Sequence, residues 1–428
     1  MASPRDEPRW IELIERCLRR EADDPALEVE LQQDLLETGV LDSMGWVSFL
    51  RALESATGVI ELGVALTERR ACIRSILDAL QDVRSENPSV TFDLTNSDGT
   101  ADLIHKSPVL LAGSGSGLGS RMVHAEEVDR AFGMPSGKLR QRAGIESLAY
   151  AAEGEDEVTL GLSAAQQALQ RSSCGAAELD WLIATGETFR EYPSLAAQLH
   201  SRLLARERCA ALDVGGACLG LLHGLAVGQA LIGCGQASTI LVVTSDVHSR
   251  ILTPQAVPGE FGGLFGDGAS AFVLRSGSKT GNAGYRLGQF RFGCVGQYSG
   301  AIRIADCGGS KLDVHFDGEA LSRAAITRLE KVIEDVELCS SIPRSSLAGL
   351  ATHQPNPRLV TLLARQCGLP EEKFPPVARK FGNLGSSTSG VALDHILRSS
   401  ATAGGMVKGP IFLASLGPGL LFGGGWLF

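Results

Sequence analysis

From Trp10 to Leu80 apolar residues recur every three or four positions, the period of a helix. Trp10, Leu13, Ile14, Cys17 and Leu18 share one helical face, and Met44, Val47, Leu50 and Leu53 share another. Asp42 or Ser43 caps the second helix, and an apolar run from Ile73 to Leu80 closes a small bundle. Residues 83–107 are polar and acidic and read as a linker, within which S-V-T-F-D-L-T allows one edge strand. From Pro108 the pattern changes to alternating strands and helices. Helices are predicted at 160–170, 194–205, 219–232, 320–336, 359–366 and 391–398. Strands are predicted at 180–185, 208–214, 239–245, 264–274, 347–352 and 411–416, and residues 109–120 read as a strand running into Gly-rich turns. The apolar C-terminus, G-L-L-F-G-G-G-W-L-F, reads as a buried final strand. The organisation is therefore a helical bundle at 8–82, a linker at 83–107, and two comparable α/β halves at 108–275 and 276–428.

One stretch carries the clearest chemistry. D-V-G-G-A-C-L-G at 213–220 runs from a strand, read as short and buried, into a helix that is apolar nearly all round. Gly215, Gly216 and Ala217 permit a tight turn, which leaves Cys218 at a helix start. The helix dipole and unpaired N–H groups there favour a thiolate and hence a nucleophile. A buried structural thiol fits the same position. His353, in T-H-Q-P-N-P-R, and Asn383, in F-G-N-L-G-S-S, stand at strand-to-helix junctions of the second half, as Cys218 does in the first.

Composition narrows the partners. The 428 residues carry a net charge of −10, which argues against nucleic acid as a general partner. Ten cysteines without CxxC pairs suggest neither a zinc site nor a disulfide framework, and a reducing cytoplasm is the expected compartment. No apolar run reaches membrane-spanning length. The run V-L-L-A-G-S-G-S-G-L-G-S has a GxGxxG-like spacing. No acidic residue ends a second strand about 20 residues on, so neither nicotinamide nor flavin binding is indicated.

Residues 108–428 resemble the β-ketoacyl-acyl carrier protein synthase III family of the thiolase-like superfamily. The matches are D-V-G-G-A-C-L-G, L-F-G-D-G-A-S-A, H-Q-P-N-P-R, F-G-N-L-G-S-S and S-L-G-P-G-L, in the family's order. The resemblance implies a five-layered αβαβα fold with internal duplication, a homodimer, and a Cys218–His353–Asn383 triad that needs no metal. Cys218 would take an acyl group from a thioester. Neutral His353 and the Asn383 amide would hold the enolate left when a malonyl thioester loses carbon dioxide. Arg142, Asn356 and Arg358 would face the pantetheine and the carrier, and Tyr192 would reach the partner subunit's acyl tunnel. Separately, Gly39, Leu41, Asp42, Ser43 and Met44 resemble the signature of an acyl or peptidyl carrier protein, which implies 4'-phosphopantetheine on Ser43 and an all-α carrier bundle.

Three departures stand out. Lys138 holds the position of a tryptophan that stacks on the adenine of coenzyme A, and V-P-G-E at 257–260 replaces an Asp-Arg pair. Both faces of the adenine clamp are lost, although Lys138 keeps a charge for a phosphate. Pro418, in S-L-G-P-G-L, cannot donate an N–H to an oxyanion. The expected partners are acyl thioesters on coenzyme A or on carriers, with the carrier supplied in cis or in trans. The expected activity is condensation in a polyketide or fatty-acid-like pathway. Two other readings stay open: plain acyl transfer to another acceptor, and a non-catalytic docking partner.

Overall fold

The computed structural model describes residues 7–22, 24, 26–41, 45–46, 48–50, 52–53, 66, 70–86, 108–277, 284–306, 312–318, 326–334, 337, 342–401, 407 and 409–428. They fall into two compact units, Met1–Asn96 with Asp317–Thr327, and Ser97–Phe316 with Arg328–Phe428.

The smaller unit contains helices α1 (Glu7–Glu21) and α2 (Ile73–Glu86), with helical residues between 45 and 53. Ile14 and Leu18 of α1 and Ile73, Ile76 and Leu77 of α2 close on Trp46, Phe49, Leu50 and Leu53. The buried stripe of the middle segment thus runs i, i+3, i+4, i+7, and Trp46 and Phe49 enter it with ring centroids 5.6 Å apart. Asp42, Ser43, Met44 and Val47 lie outside the described residues. Residues 83–86, read as linker, continue α2, while 87–107, with the expected edge strand, lie outside the description.

The larger unit is built on strands β1 (Val109–Leu118), β2 (Arg121–His124), β3 (Ser147–Tyr150), β4 (Trp181–Thr185), β5 (Ala210–Asp213), β6 (Thr239–Val247) and β7 (Asp267–Ser276). In its second half come β8 (Tyr285–Cys294), β9 (Ile302–Asp306), β10 (Leu312–Phe316), β11 (Gly349–Thr352), β12 (Ile411–Gly417) and β13 (Leu421–Leu427). Nine of these follow the order β11-β12-β13-β8-β1-β7-β6-β4-β5. The seam between β1 and β8 is short, formed by the pairs Leu110–Arg286 and Leu111–Tyr285.

Either side of this seam the pairing repeats. β1–β7 and β7–β6 are antiparallel and β6–β4 is parallel; β8–β13 and β13–β12 are antiparallel and β12–β11 is parallel. The two halves expected from the sequence therefore share one topology. β4 corresponds to β11, a match on which the site depends.

Helices complete the layers: α3 (Glu157–Arg171), α4 (Leu195–Leu203), α5 (Gly220–Gly233), α6 (Pro357–Gln366) and α7 (Thr388–Ala401). Leu221, Leu222 and Leu225 of α5 and Val391, Ala392 and Leu393 of α7 share one core with strands of both halves, so these helices form the central layer. α3 and α4 cover the outer face of the first half. Such burial on every side is why α5 is apolar all round. The arrangement is the αβαβα fold that the resemblance implies. β5 departs from expectation: it is the edge strand of the sheet, and its side chains alternate between half-buried and exposed.

The G-S-G-S-G stretch, expected to form Gly-rich turns, is instead strand through Leu118, paired with β7, and its pattern has a packing explanation. A Cβ at Gly113, Gly115 or Gly117 would fall 2.2–2.4 Å from a carbonyl oxygen of α3, so glycine on this face lets the helix lie directly on the strand. The intervening serines face the other way. Ser114 and Ser116 donate to the Asp394 carboxylate of α7 at 2.8 and 2.7 Å, and Arg171 of α3 reaches the same carboxylate at 2.9 Å. Asp394 is buried, and its removal leaves two hydroxyls without their acceptor, while Arg171 keeps the Ser114 carbonyl at 2.7 Å and Gln167 Oε1 at 3.0 Å. Asp394→Ala should lower the unfolding free energy of the full chain by about 2–4 kcal/mol in chemical denaturation. A loss under about 0.5 kcal/mol would mean that the network carries no net stability.

Candidate active site

Three chain segments meet at the centre of the larger unit. The first is the turn after β5. Gly216 has φ 142° and Ala217 has φ 47°, and Cys218 sits in a 3-10 turn, Ala217–Leu219, that leads into α5. The left-handed Ala217 is uncommon for a residue with a side chain and marks local strain at this turn. Gly220, the first residue of α5, abuts Thr185 at the end of β4; a Cβ there would lie 2.1 Å from Thr185 Oγ1. Glycine is what allows the helix start to close on β4.

The second segment is the end of β11. The His353 amide donates to the Ala414 carbonyl of β12 at 3.1 Å, and the next residue, Ser415, donates its hydroxyl to the Cys218 carbonyl at 2.7 Å. Adjacent residues of one strand thus hold the histidine and the cysteine. The third segment is the turn before α7. Asn383 is tied by its backbone to Leu264 and Gly266 at 2.9 Å each. Its Oδ1 accepts from the Gly385 amide at 3.0 Å and from Thr388 Oγ1 at 3.4 Å. With the carbonyl end engaged, the NH2 end remains for a substrate oxygen. Cys218 and Asn383 therefore occupy corresponding places, each at a 3-10 turn preceding one of the two central helices.

Cys218, His353 and Asn383 are all buried. Burial lowers the His353 pKa to about 4, against the opposing influence of the Glu187 carboxylate and the Gly385 carbonyl. The ring is neutral at neutral pH, and its Nδ1 has no hydrogen-bond partner in the chain.

The thiolate expected at Cys218 is not what this environment favours. Burial first, and then the charge and hydrogen bonding of Glu187, raise its pKa well above that of a free thiol. Its own amide acts the other way. The resting group is a thiol, because burial and a neighbouring carboxylate together outweigh the helix start.

Glu187 was not among the residues singled out from the sequence. It follows β4 as part of A-T-G-E, and His353 follows the corresponding strand β11 as part of A-T-H. This match of strand ends is the signal that finds it. His248 and Asp246, at the end of β6, stand beside it. His248 Nε2 lies 3.8 Å from Glu187 Oε2, an ion-pair distance, and its Nδ1 contacts the Gly266 carbonyl at 3.2 Å. Asp246 accepts from the Glu187 amide and from the amide and hydroxyl of Ser386. Burial works against the charge of His248, but Glu187 and Asp246 prevail and raise its pKa to about 9. Burial and the nearby Glu187 raise the Asp246 pKa to about 6.

The remaining predicted residues of this unit stand in helix starts, helical turns and loops. Asn356 Oδ1 caps α6 by accepting from the Leu359 amide at 2.9 Å. Arg358 donates to the Gln141 carbonyl, one residue from the exposed Arg142. Tyr192 is 98% exposed, so it lines no pocket of its own chain. Lys138 is not held in reserve for a phosphate: its Nζ pairs with Glu260 Oε2 at 3.1 Å. The two departures read from the resemblance, Lys138 and the segment that ends in Glu260, are thus partners of each other. Among the described residues, no group of three His, Cys, Asp or Glu side chains is placed to hold a metal ion. No helix among them is long and apolar enough to cross a membrane.

Comparison with known proteins gives matches across this unit. Residues 212–296 match the 3-oxoacyl-[acyl-carrier-protein] synthase III family, and residues 340–427 match its C-terminal part. A β-ketoacyl-[acyl-carrier-protein] synthase III of Streptomyces coelicolor is 32% identical over 328 residues, covering 73% of this chain and 95% of that protein. The crystal structure of a 3-oxoacyl-(acyl carrier protein) synthase III from Pseudomonas aeruginosa superposes with a TM-score of 0.67 at 26% identity, covering 75% of this chain and 98% of that one. The priming β-ketosynthase of a polyketide biosynthetic pathway has a TM-score of 0.68 at 24% identity, covering 76% and 97%, and shares the fold.

Proposed function

The chain belongs to the 3-oxoacyl-[acyl-carrier-protein] synthase III family, a family of condensing acyltransferases, and from that premise we propose that it condenses an acyl group held on Cys218 with a malonyl thioester. The observation that carries this reading is the pairing of a neutral buried histidine with an asparagine whose carbonyl is already engaged. Two neutral donors suit an enolate, which develops charge only as carbon dioxide leaves. In the first half-reaction the Cys218 sulfur attacks the acyl thioester carbonyl, and a thiol departs. In the second, His353 and Asn383 hold the thioester oxygen of the malonyl unit while carbon dioxide is lost. The enolate carbon then attacks the acyl-cysteine, and Cys218 returns to its free form with a β-ketoacyl thioester as product.

The carrier-like unit at the N-terminus supports delivery of a substrate in cis, on a phosphopantetheine arm at Ser43. The motif G-V-L-D-S-M at a predicted helix start motivates this. A helix N-terminus favours the phosphate of such an arm. Co-expression with a broad phosphopantetheinyl transferase should add the mass of the arm to the wild type and nothing to Ser43→Ala. An unmodified wild type, beside a carrier converted in the same cells, would sink this assignment. The exposed edge of β5 and the fully exposed Tyr192 support a homodimer, in which both would find cover.

Intact-mass spectrometry tests the central reading. Incubation with a panel of acyl thioesters should load one acyl group on wild type and none on Cys218→Ala, and added malonyl thioester should discharge it as a β-ketoacyl product. Discharge only to an alcohol or amine acceptor would establish plain acyl transfer instead.

A further inference from the structure

The Cys218 thiol needs a base, and the two histidines that face Glu187 are poorly suited to the task. His353 is neutral, but its burial disfavours the cation that proton transfer would create. His248 is already a cation, with no lone pair to offer on a protonated ring. Asp246 is spent on the Ser386 hydroxyl and amide and on the Glu187 amide. That leaves the Glu187 carboxylate. Its Oε1 is buried without a hydrogen-bond donor, while Oε2 faces His248. The side chain stands against Cys218, and 19% of it is accessible, so the corner is tight but not sealed.

The backbone beneath Glu187 is anchored. Thr188 Oγ1 donates to Glu157 Oε1 at 2.6 Å and accepts from the Val247 amide at 2.8 Å. The charged and titratable groups facing Glu187 are Cys218, His248, His353 and Asp246, with Asp267 acting on His248 from behind. Of the two carboxylates that act on the Cys218 thiol, Glu187 and Asp246, only Glu187 has an oxygen, Oε1, without a hydrogen-bond partner.

We infer that Glu187 is the general base of the acylation step, taking the Cys218 proton on Oε1 as the sulfur attacks. The balance is simple. The S–H bond breaks and the S–C bond forms, while the proton moves to Glu187. The carbonyl collapses, the bond to the departing sulfur breaks, and that thiolate recovers the proton from Glu187. Glu187 ends as a carboxylate, Cys218 as a thioester, and the carrier or coenzyme A as a free thiol. His248 is a positioning residue, whose cation keeps Glu187 ionised before the proton arrives: burial opposes that charge, but His248 wins. This step deepens the reading above and rests on it.

The test separates the base from a mere support. Single-turnover acylation of Cys218 in the full chain is followed by rapid quench and peptide mass spectrometry, with acetyl- and octanoyl-coenzyme A as probes. Glu187→Gln should acylate about 100-fold more slowly at neutral pH, within the range for loss of a general base. Its rate should climb about tenfold per pH unit, because it waits for free thiolate, whereas the wild-type rate stays nearly flat between about pH 6 and 8. Glu187→Asp should recover part of the loss. Alkylation of Cys218 by iodoacetamide, which needs only thiolate, should move the opposite way and become faster in Glu187→Gln, since a carboxylate no longer opposes the sulfur's charge.

Acylation of Glu187→Gln at the wild-type rate with a flat profile would overturn the inference and leave the condensing function standing. So would a parallel loss of acylation and alkylation, which marks a distorted site. Failure of wild type to take an acyl group from either probe, or from the same groups on a carrier, would remove the function and the inference together.

Discussion

Replacing Asn383 by alanine leaves Cys218 open to acylation but lowers carbon dioxide release from a malonyl thioester by about 100- to 1,000-fold. The size follows from the role. One of two donors aimed at a developing oxyanion is lost, in a buried pocket where water cannot replace it. The split follows from the proposed roles, since the acyl group bonds to Cys218, whereas Asn383, fixed to the 264–266 segment, forms no bond to it. His353→Ala should behave alike, whereas Cys218→Ala should carry no acyl group at all. Quenched-flow acylation beside release of labelled carbon dioxide separates these steps. If Asn383→Ala condenses at the wild-type rate, the enolate-holding role is wrong and plain acyl transfer becomes the better account. The pH profile of decarboxylation adds a check. On the proposed role His353 acts as a neutral ring, and its pKa is lowered to about 4 by burial. The rate should therefore hold from pH 8 down to about 5 and fall as the ring is protonated on approach to 4. An inflection near the ordinary histidine value would contradict the buried, neutral ring.

The second large effect concerns how the substrate arrives. Stacking of a base on an aromatic ring is worth about 1–3 kcal/mol. This chain offers no indole at that position, and Lys138 is paired with Glu260. Binding of the adenine end of coenzyme A is weak on this reading. A carrier tethered to the enzyme gains instead from its effective concentration, wherever the linker can span the gap. Wild type should then use acyl groups on a carrier at least tenfold more efficiently than the same groups on coenzyme A, by kcat/KM, a ratio equivalent to about 1.4 kcal/mol. Lys138→Trp should narrow that gap about tenfold by improving the coenzyme A thioesters alone. The exposed ion pair it breaks is worth about 0–1 kcal/mol, so stability should barely move. Equal efficiency of wild type with both thiol carriers would end the idea.

Much of this architecture was legible in the chain. Helical spacing from Trp10 to Leu80 marked the small unit, and the switch at Pro108 marked the α/β layers, because both rest on local periods that burial imposes residue by residue. Cys218, His353 and Asn383 could be placed at strand-to-helix junctions because Gly-rich turns are themselves local signals. The apolar circumference of α5 announced a helix covered on all sides, and the central layer is where it lies.

The sequence by itself therefore determined the layers, the junctions and the residue types that stand at them. The tertiary structure decided how their charges combine. The helix start that should have favoured a thiolate at Cys218 is opposed by Glu187, thirty-one positions earlier in the chain (218 − 187) and adjacent only because β4 and α5 meet at Gly220. The alternating glycines and serines of β1, which in one dimension resemble a phosphate loop, proved to be a face for α3 and a set of donors for Asp394. Lys138 became the partner of Glu260 instead of a free charge. In each case the deciding contact joins residues far apart in sequence. Periodicity reports which side of an element is buried, whereas a pKa depends on what stands on the other side of that burial.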